Sequence, residues 1–274
     1  MAMAVVMALG LSACGSNNSA ASSSAGSVSG SASGSASNGD AAFTTVTPGK
    51  LTMSTNASFP PYEMVADDGS FEGIDIEVAG AIAQKLGLEL QVDDMGFDAA
   101  LQAAQTGKSD MVMAGVTVTE ERQAVMDFSN SYANGVQVVI VKEDSPIQTL
   151  DDLANANMIG CQMGTTGYIY CSDTVENGGY GEDHVTPYDD GAAAVQALVN
   201  GQIDAVVIDN MPAQEYVAAN PGLRILDTEY ANEDYAIGVA KGNTALLDAI
   251  NGALEELTAD GTIQSIVDKY ISAN

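Results

Sequence analysis

An arginine in the opening turn of a helix is the residue most in need of a chemical explanation in this chain. In the run AGVTVTEERQAVMDFS at 114–129, Thr119 reads as an N-cap and Glu120 as the first helical residue, so Arg122 falls in the first turn. Backbone N–H groups there lack intrahelical partners and carry partial positive charge, which disfavours a cation unless an anion sits beside it. Arg122 therefore calls for an anionic partner. That partner is either a surface acid such as Glu120 or Glu121, or a bound carboxylate. Residues 110–114 read as a short buried strand and 115–118 as a tight loop, which places Arg122 just beyond a strand's C-terminal end. Open α/β sheets bind ligands at that edge.

Other polar residues fall at the same kind of position. Asn56 follows a strand at 51–55, Phe97 lies past a strand at 88–92, and Gly115 and Thr117 follow the next. Gly164, Thr165 and Thr166 come after a strand ending at Cys161, and Asp209 after a buried strand at 203–208. A doubly wound sheet gathers each such set at one edge, and two facing lobes enclose a cleft. Taken singly these residues have plainer roles: Phe59 and Phe97 as core aromatics, Gly115, Thr117 and Thr166 as turn residues, Asp209 as a helix cap.

The elements that must position these residues follow from periodicity. In 76–86, Val78, Ala79, Ile82, Ala83 and Leu86 share one helical face, and Gly87 stops the helix. A helix at 97–106 is closed by Gly107, and 137–141 is a β-branched run leading to a polar break at 142–146. A second set of units follows, with strands at 158–161 and 203–208 and helices at 192–200, 244–258 and 262–271. Tyr168 is read as starting a further helix and Pro212 as the first residue of another. With a last strand at 234–240, this alternation predicts an α/β fold with a mostly parallel sheet.

Composition narrows the function classes. The 274 residues can hold two modest domains, and 8 Lys+Arg against 37 Asp+Glu give a net charge of −29, which repels nucleic acid and anionic lipid. His184 is the single histidine and no CxxC occurs, so no metal site is expected.

The first eleven residues are apolar and lead into LSAC at 11–14, too short to span a bilayer but suited to an export signal, although no Lys or Arg precedes them. LSAC resembles a bacterial lipobox, which implies lipidation of Cys14. Residues 15–39 are Gly, Ser, Ala and Asn apart from Val28, a composition that cannot bury a core. The linker at 15–40 thus reads as a flexible tether; a Gly/Ser coil of this kind spans roughly 25–30 Å. Cys161 and Cys171 remain, and in an exported chain they are either a disulfide or two buried thiols.

Six short motifs stand in order along the chain: FPPYE at 59–63, GIDIE at 73–77, AGVTVTEER at 114–122, DFS at 127–129, GTTG at 164–167 and DAVVID at 204–209. On these the chain resembles the family 3 extracellular solute-binding proteins, polar amino acid receptors of bacterial ABC importers, over nearly all of 50–274. The resemblance implies a two-lobed, type II periplasmic-binding-protein-like fold, two Rossmann-like lobes with a ligand cleft between them. Residues 41–140 and 233–274 would form lobe 1 and 141–232 lobe 2, with crossings near 139–142 and 226–234.

The resemblance also implies roles. Arg122 grips a substrate α-carboxylate with two parallel hydrogen bonds. Thr117 holds the same carboxylate, the Gly115 carbonyl faces the α-ammonium, and Asp209 pairs with that ammonium from the second lobe. Thr166 adds a donor, and Phe59 and Phe97 sandwich the side chain. Asn56 stands where receptors for basic amino acids often carry an acid, and Gln162 where glutamine receptors often carry a lysine. A neutral polar amino acid is therefore expected, without a strict assignment to glutamine, while Glu63 could serve a cationic one. The implied partners are that amino acid, the transmembrane permease subunits of an ABC transporter, and the membrane through a lipid anchor. The protein is expected to act as a monomer outside the cytoplasm, with no cofactor. Two other readings stay open: a fold-related dehydratase, whose proton-transferring group could only be Asp209 or Glu63, and a sensory amino acid receptor.

Overall fold

The computed structural model describes residues 43–271. The signal and lipobox with Cys14 and the linker at 15–40 lie outside the described residues. In chain order the structure runs β1 (Lys50–Thr55), β2 (Ser58–Phe59), β3 (Glu63–Val65), β4 (Phe71–Glu72), α1 (Ile74–Lys85), β5 (Glu89–Asp94), α2 (Phe97–Gln105), β6 (Met111–Val112), α3 (Glu120–Val125) and β7 (Met126–Lys142). Then follow β8 (Ile159–Gln162), α4 (Thr166–Ser172), β9 (Val185–Tyr188), α5 (Gly191–Val199), β10 (Ala205–Asp209), α6 (Asn210–Ala219), β11 (Leu223–Ile225), β12 (Ala231–Ala240), α7 (Thr244–Ala259) and α8 (Thr262–Tyr270).

One sheet carries β5, β1, β6, β12, β7, β10, β8 and β9 in that order, with β11 also on β7. Strand alternation sends successive side chains to opposite faces, and both faces are covered. Met111 and Met113 pack with α1, α7 and α8, whereas Val112 and Ala114 pack with Ala100, Leu101 and Ala104 of α2. The other half repeats the arrangement. Val139, Val141 and Val207 join one core with Cys161 and Cys171, while Val138, Ile140, Val206 and Ile208 join another with Ala194, Val195 and Leu198 of α5. Continuous apolar runs such as AVVI at 205–208 are what a strand buried on both faces requires.

The two halves meet on β7. It pairs with β12 from Met126 to Gln137, and with β10 from Gln137 to Ile140, so Gln137 lies opposite both Ala231 and Asp209. That register brings the end of β10 to the seam. Val138 to Val141 sit in the cores that also hold β8, β10 and α5. β12 begins at Ala231, inside the segment 226–234.

The sheet is mixed rather than mostly parallel. β1 pairs in parallel with β5 and β6, and β8 with β10 and β9, but β7 runs antiparallel to β12, β10 and β11. The 17-residue β7 extends well upstream of the apolar run at 137–141, through polar SNSYANG, because pairing with β12 supplies what local propensity does not. β6 is only Met111–Val112, α4 starts at Thr166 rather than Tyr168, and Pro212 is third in α6.

Candidate ligand-binding site

α3 begins as its cap predicts, with Thr119 Oγ1 accepting from the Arg122 N–H at 3.2 Å. The Arg122 side chain is buried at 7 % exposure, which removes it from any surface ion pair. Neither Glu120 nor Glu121 pairs with it among the described residues. Instead Nη1 donates to the Thr117 carbonyl at 2.7 Å and Nη2 to the Gly164 carbonyl at 3.1 Å. Phe97 lies under the guanidinium, 5.4 Å from ring centre to Cζ. Burial pulls the guanidinium below its ordinary pKa, and nearby Glu233 is the foremost opposing charge. A buried cation with no direct anion is a site for one.

Asp209 comes from the other half of the sheet and is 1 % exposed. One carboxylate oxygen accepts from the Val136 N–H at 2.9 Å and the Tyr235 hydroxyl at 2.5 Å; the other accepts from the Met211 N–H at 3.2 Å. It is thus the N-cap of α6 as well as a cleft residue. Burial pushes its carboxyl up to about 6, against these hydrogen bonds.

A cavity with an empty volume of about 480 Å³ gathers every residue expected to bind ligand: Asn56, Phe59, Phe97, Gly115, Thr117, Arg122, Gln162, Thr166 and Asp209. Across the seam, Gln162 Nε2 donates to Asn56 Oδ1 at 2.8 Å, and the Tyr216 hydroxyl donates to the Ser58 carbonyl at 3.0 Å. Gly115 has a φ of +54°, and a Cβ there would lie 2.8 Å from Phe59 Cε1 and 3.3 Å from Tyr235 Cε2. Gly115→Ala is accordingly expected to destabilise the protein by about 1–3 kcal/mol. Urea unfolding of the ligand-free variant checks this, and an unchanged midpoint would show that the contact yields without cost.

Sequence reading missed three residues of the cavity or its wall, Tyr235, Tyr62 and Glu233. Tyr235 packs edge-on against Tyr62, 5.4 Å between ring centres, and Tyr62 stacks on Phe59 at 5.8 Å. Glu233 accepts from Thr117 Oγ1 at 2.9 Å and Gln137 Nε2 at 3.1 Å, and its other oxygen is buried without a partner. Thr117's hydroxyl thus donates to Glu233. Glu63 lines the cavity with both oxygens buried and unpartnered. Burial, reinforced by the charge of Asp75, pushes its carboxyl well above the ordinary value. A signal for Glu233 existed: in 231–235 only residues 233 and 235 are buried, so the alternation puts an acid beside Tyr235 on the inward face.

Cys161 and Cys171 are both buried, and their sulfurs are unbonded. Among the described residues no group of three His, Cys, Asp or Glu side chains is placed to hold a metal.

A sheet covered on both faces, split where two strands cross, with its charged cavity at the split, defines a two-lobed α/β binding fold. The chain belongs to the bacterial extracellular solute-binding proteins, family 3, whose profile matches residues 51–273. It is 31% identical over 237 residues to a probable histidine-binding protein of Neisseria gonorrhoeae, covering 85% of this chain and 87% of the relative. To the L-cystine-binding protein TcyJ of Escherichia coli (strain K12) it is 31% identical over 229 residues, 82% of this chain and 84% of the other. Among solved structures, an ancestral arginine-binding protein bound to arginine shares 39% identity with a TM-score of 0.75, covering 82% of this chain and 99% of that one. The fold is the type II fold of the periplasmic binding proteins.

Proposed function

We propose that this protein is the substrate-binding component of an amino acid ABC importer, closing two lobes around one polar amino acid and presenting it to a transmembrane permease. The observation that carries this reading is the pairing of opposite charges across one cavity, a buried guanidinium from one half of the sheet and a buried carboxylate from the other. A zwitterion answers both. Its α-carboxylate takes the two Arg122 donors now resting on the Thr117 and Gly164 carbonyls, and its α-ammonium takes Asp209. Gly115, Thr117 and Thr166 complete the grip, and Phe59 and Phe97 flank the side chain. Lobe 1 would comprise residues 41–140 and 233–274 and lobe 2 residues 141–232, with hinge closure between them.

The amide pair of Asn56 and Gln162 favours a neutral polar side chain over a cationic one. The protein is read as a monomeric receptor, not an enzyme, tethered to the outer face of the cell membrane through Cys14 and the linker. A thermal-shift screen against the twenty amino acids plus ornithine, citrulline and cystine tests this. Ligand binding only the folded state stabilises it by about 4 kcal/mol at a thousandfold excess over Kd. The expected result is one large shift with a neutral polar amino acid. A shift confined to arginine and lysine would reverse the specificity, and no shift at all would overturn the receptor reading.

A further inference from the structure

Cys161 and Cys171 lie on adjoining elements beneath the segment that carries Gln162, Thr165 and Thr166. Cys161 is in β8 and Cys171 in α4, both fully buried in the same core. Cys161 Sγ lies 3.6 Å from the Gly167 carbonyl oxygen. Inside α4 that oxygen is the acceptor for the amide of Cys171, one turn later, at roughly 2.9 Å. The Cys161 sulfur therefore rests against the turn of α4 that leads to the second cysteine, whose own sulfur lies 3.9 Å from the Tyr230 hydroxyl. The Cys161 thiol is pushed up, first by the neighbouring Cys171 and then by burial, which agrees with the two sulfurs facing each other. The family is extracellular, and in oxidising compartments adjacent thiols persist as disulfides.

We propose that Cys161 and Cys171 form a disulfide in the exported protein, a staple that ties α4 to the end of β8 and closes a ring around the second half's cavity residues. The oxidant is a small disulfide such as glutathione disulfide. The thiolate of one cysteine attacks an oxidant sulfur, forming a mixed disulfide and releasing one glutathione thiolate. The second cysteine's thiolate then attacks the protein sulfur of that mixed disulfide, forming the Cys161–Cys171 bond and releasing the second glutathione. Two protein thiols give up two electrons and two protons, and the oxidant is reduced to two thiols. Burial in the folded state suppresses the thiolate, so the exchange belongs to folding, before α4 packs on β8.

The full chain carrying Cys14→Ser, which removes the remaining cysteine, is unfolded, refolded with a glutathione/glutathione disulfide couple, quenched with an alkylating agent and digested without reductant. The expected result is a single linked peptide joining Cys161 to Cys171, an intact mass 2 Da below the dithiol, and a melting temperature that reduction lowers by roughly 5–10 °C. The same refolded chain with Cys161→Ala should show no effect of reductant. Recovery of both cysteines singly alkylated from the folded protein overturns the proposal. The peptide map needs no ligand, so its failure is distinct from failure of the receptor reading.

Discussion

Titration calorimetry on Arg122→Ala is expected to show at least a hundredfold weaker amino acid binding than the parent protein. Removing one partner of a buried charge pair costs about 3–5 kcal/mol, because the remaining charge stays desolvated and unanswered. Each 1.4 kcal/mol is a factor of ten in Kd. In this variant the ligand's carboxylate would enter a pocket that keeps Glu233 nearby and loses the cation that balances it. Arg122→Lys separates charge from geometry. It keeps the cation but not the fork that reaches both the Thr117 and Gly164 carbonyls, and should fall between the two. Circular dichroism must confirm folding, since the bond to the Gly164 carbonyl also ties the halves together. A folded Arg122→Ala protein that binds as tightly as the parent sinks the assignment of Arg122.

Asp209→Asn should weaken binding by about tenfold to a hundredfold and remove its pH dependence. The amide keeps the shape and the cap on Met211 while losing the countercharge for an ammonium. In the ligand-free protein burial raises the Asp209 carboxyl to about 6 from an ordinary 3.8. Ammonium pairing needs the ionised form, so affinity should rise as pH increases from about 5 to 7 and level off above the raised value.

Ligand-free stability should move the opposite way. Between the ordinary and raised values the folded state holds more protons than the unfolded one, so stability is greatest below 3.8 and declines as pH rises towards 6. Asp75, also raised to about 6 by burial, adds to the same decline. Melting curves from pH 4 to 7 with and without ligand read both slopes. Parallel slopes, or a pH-dependent Asp209→Asn, would remove Asp209 from the ammonium subsite.

The helices around the site were legible because their signals are local. Thr119 caps α3, and Gly87 and Gly107 stop α1 and α2 at positive φ, each decided within a few residues. The apolar runs at 203–208 and 137–141 announced strands covered on both faces, although not which strands they would meet. The upstream part of β7 was illegible for that reason. Apart from Tyr132, SNSYANG holds residues that do not favour strands, and its conformation comes from pairing with β12, about a hundred residues later in the chain. Tyr235 in the cavity and Glu233 behind it were missed because their importance lies in what faces them, Asp209 and Thr117, brought in from distant parts of the chain.

By itself the sequence determined the residue types that can answer a zwitterion, their placement after strands, and the order of motifs that marks the family. These depend on short-range patterns: caps, periodicity and Gly stops. Only the tertiary structure decided that Arg122 is buried without a direct anion and that Gln137 is the seam where β10, β7 and β12 meet. It also decided that Cys161 sits beside α4, and that Thr117's hydroxyl is held by Glu233. Burial and hydrogen-bond partnership are properties of surroundings assembled from distant segments, and they decide which polar residues of a chain end up as buried charges around one cavity.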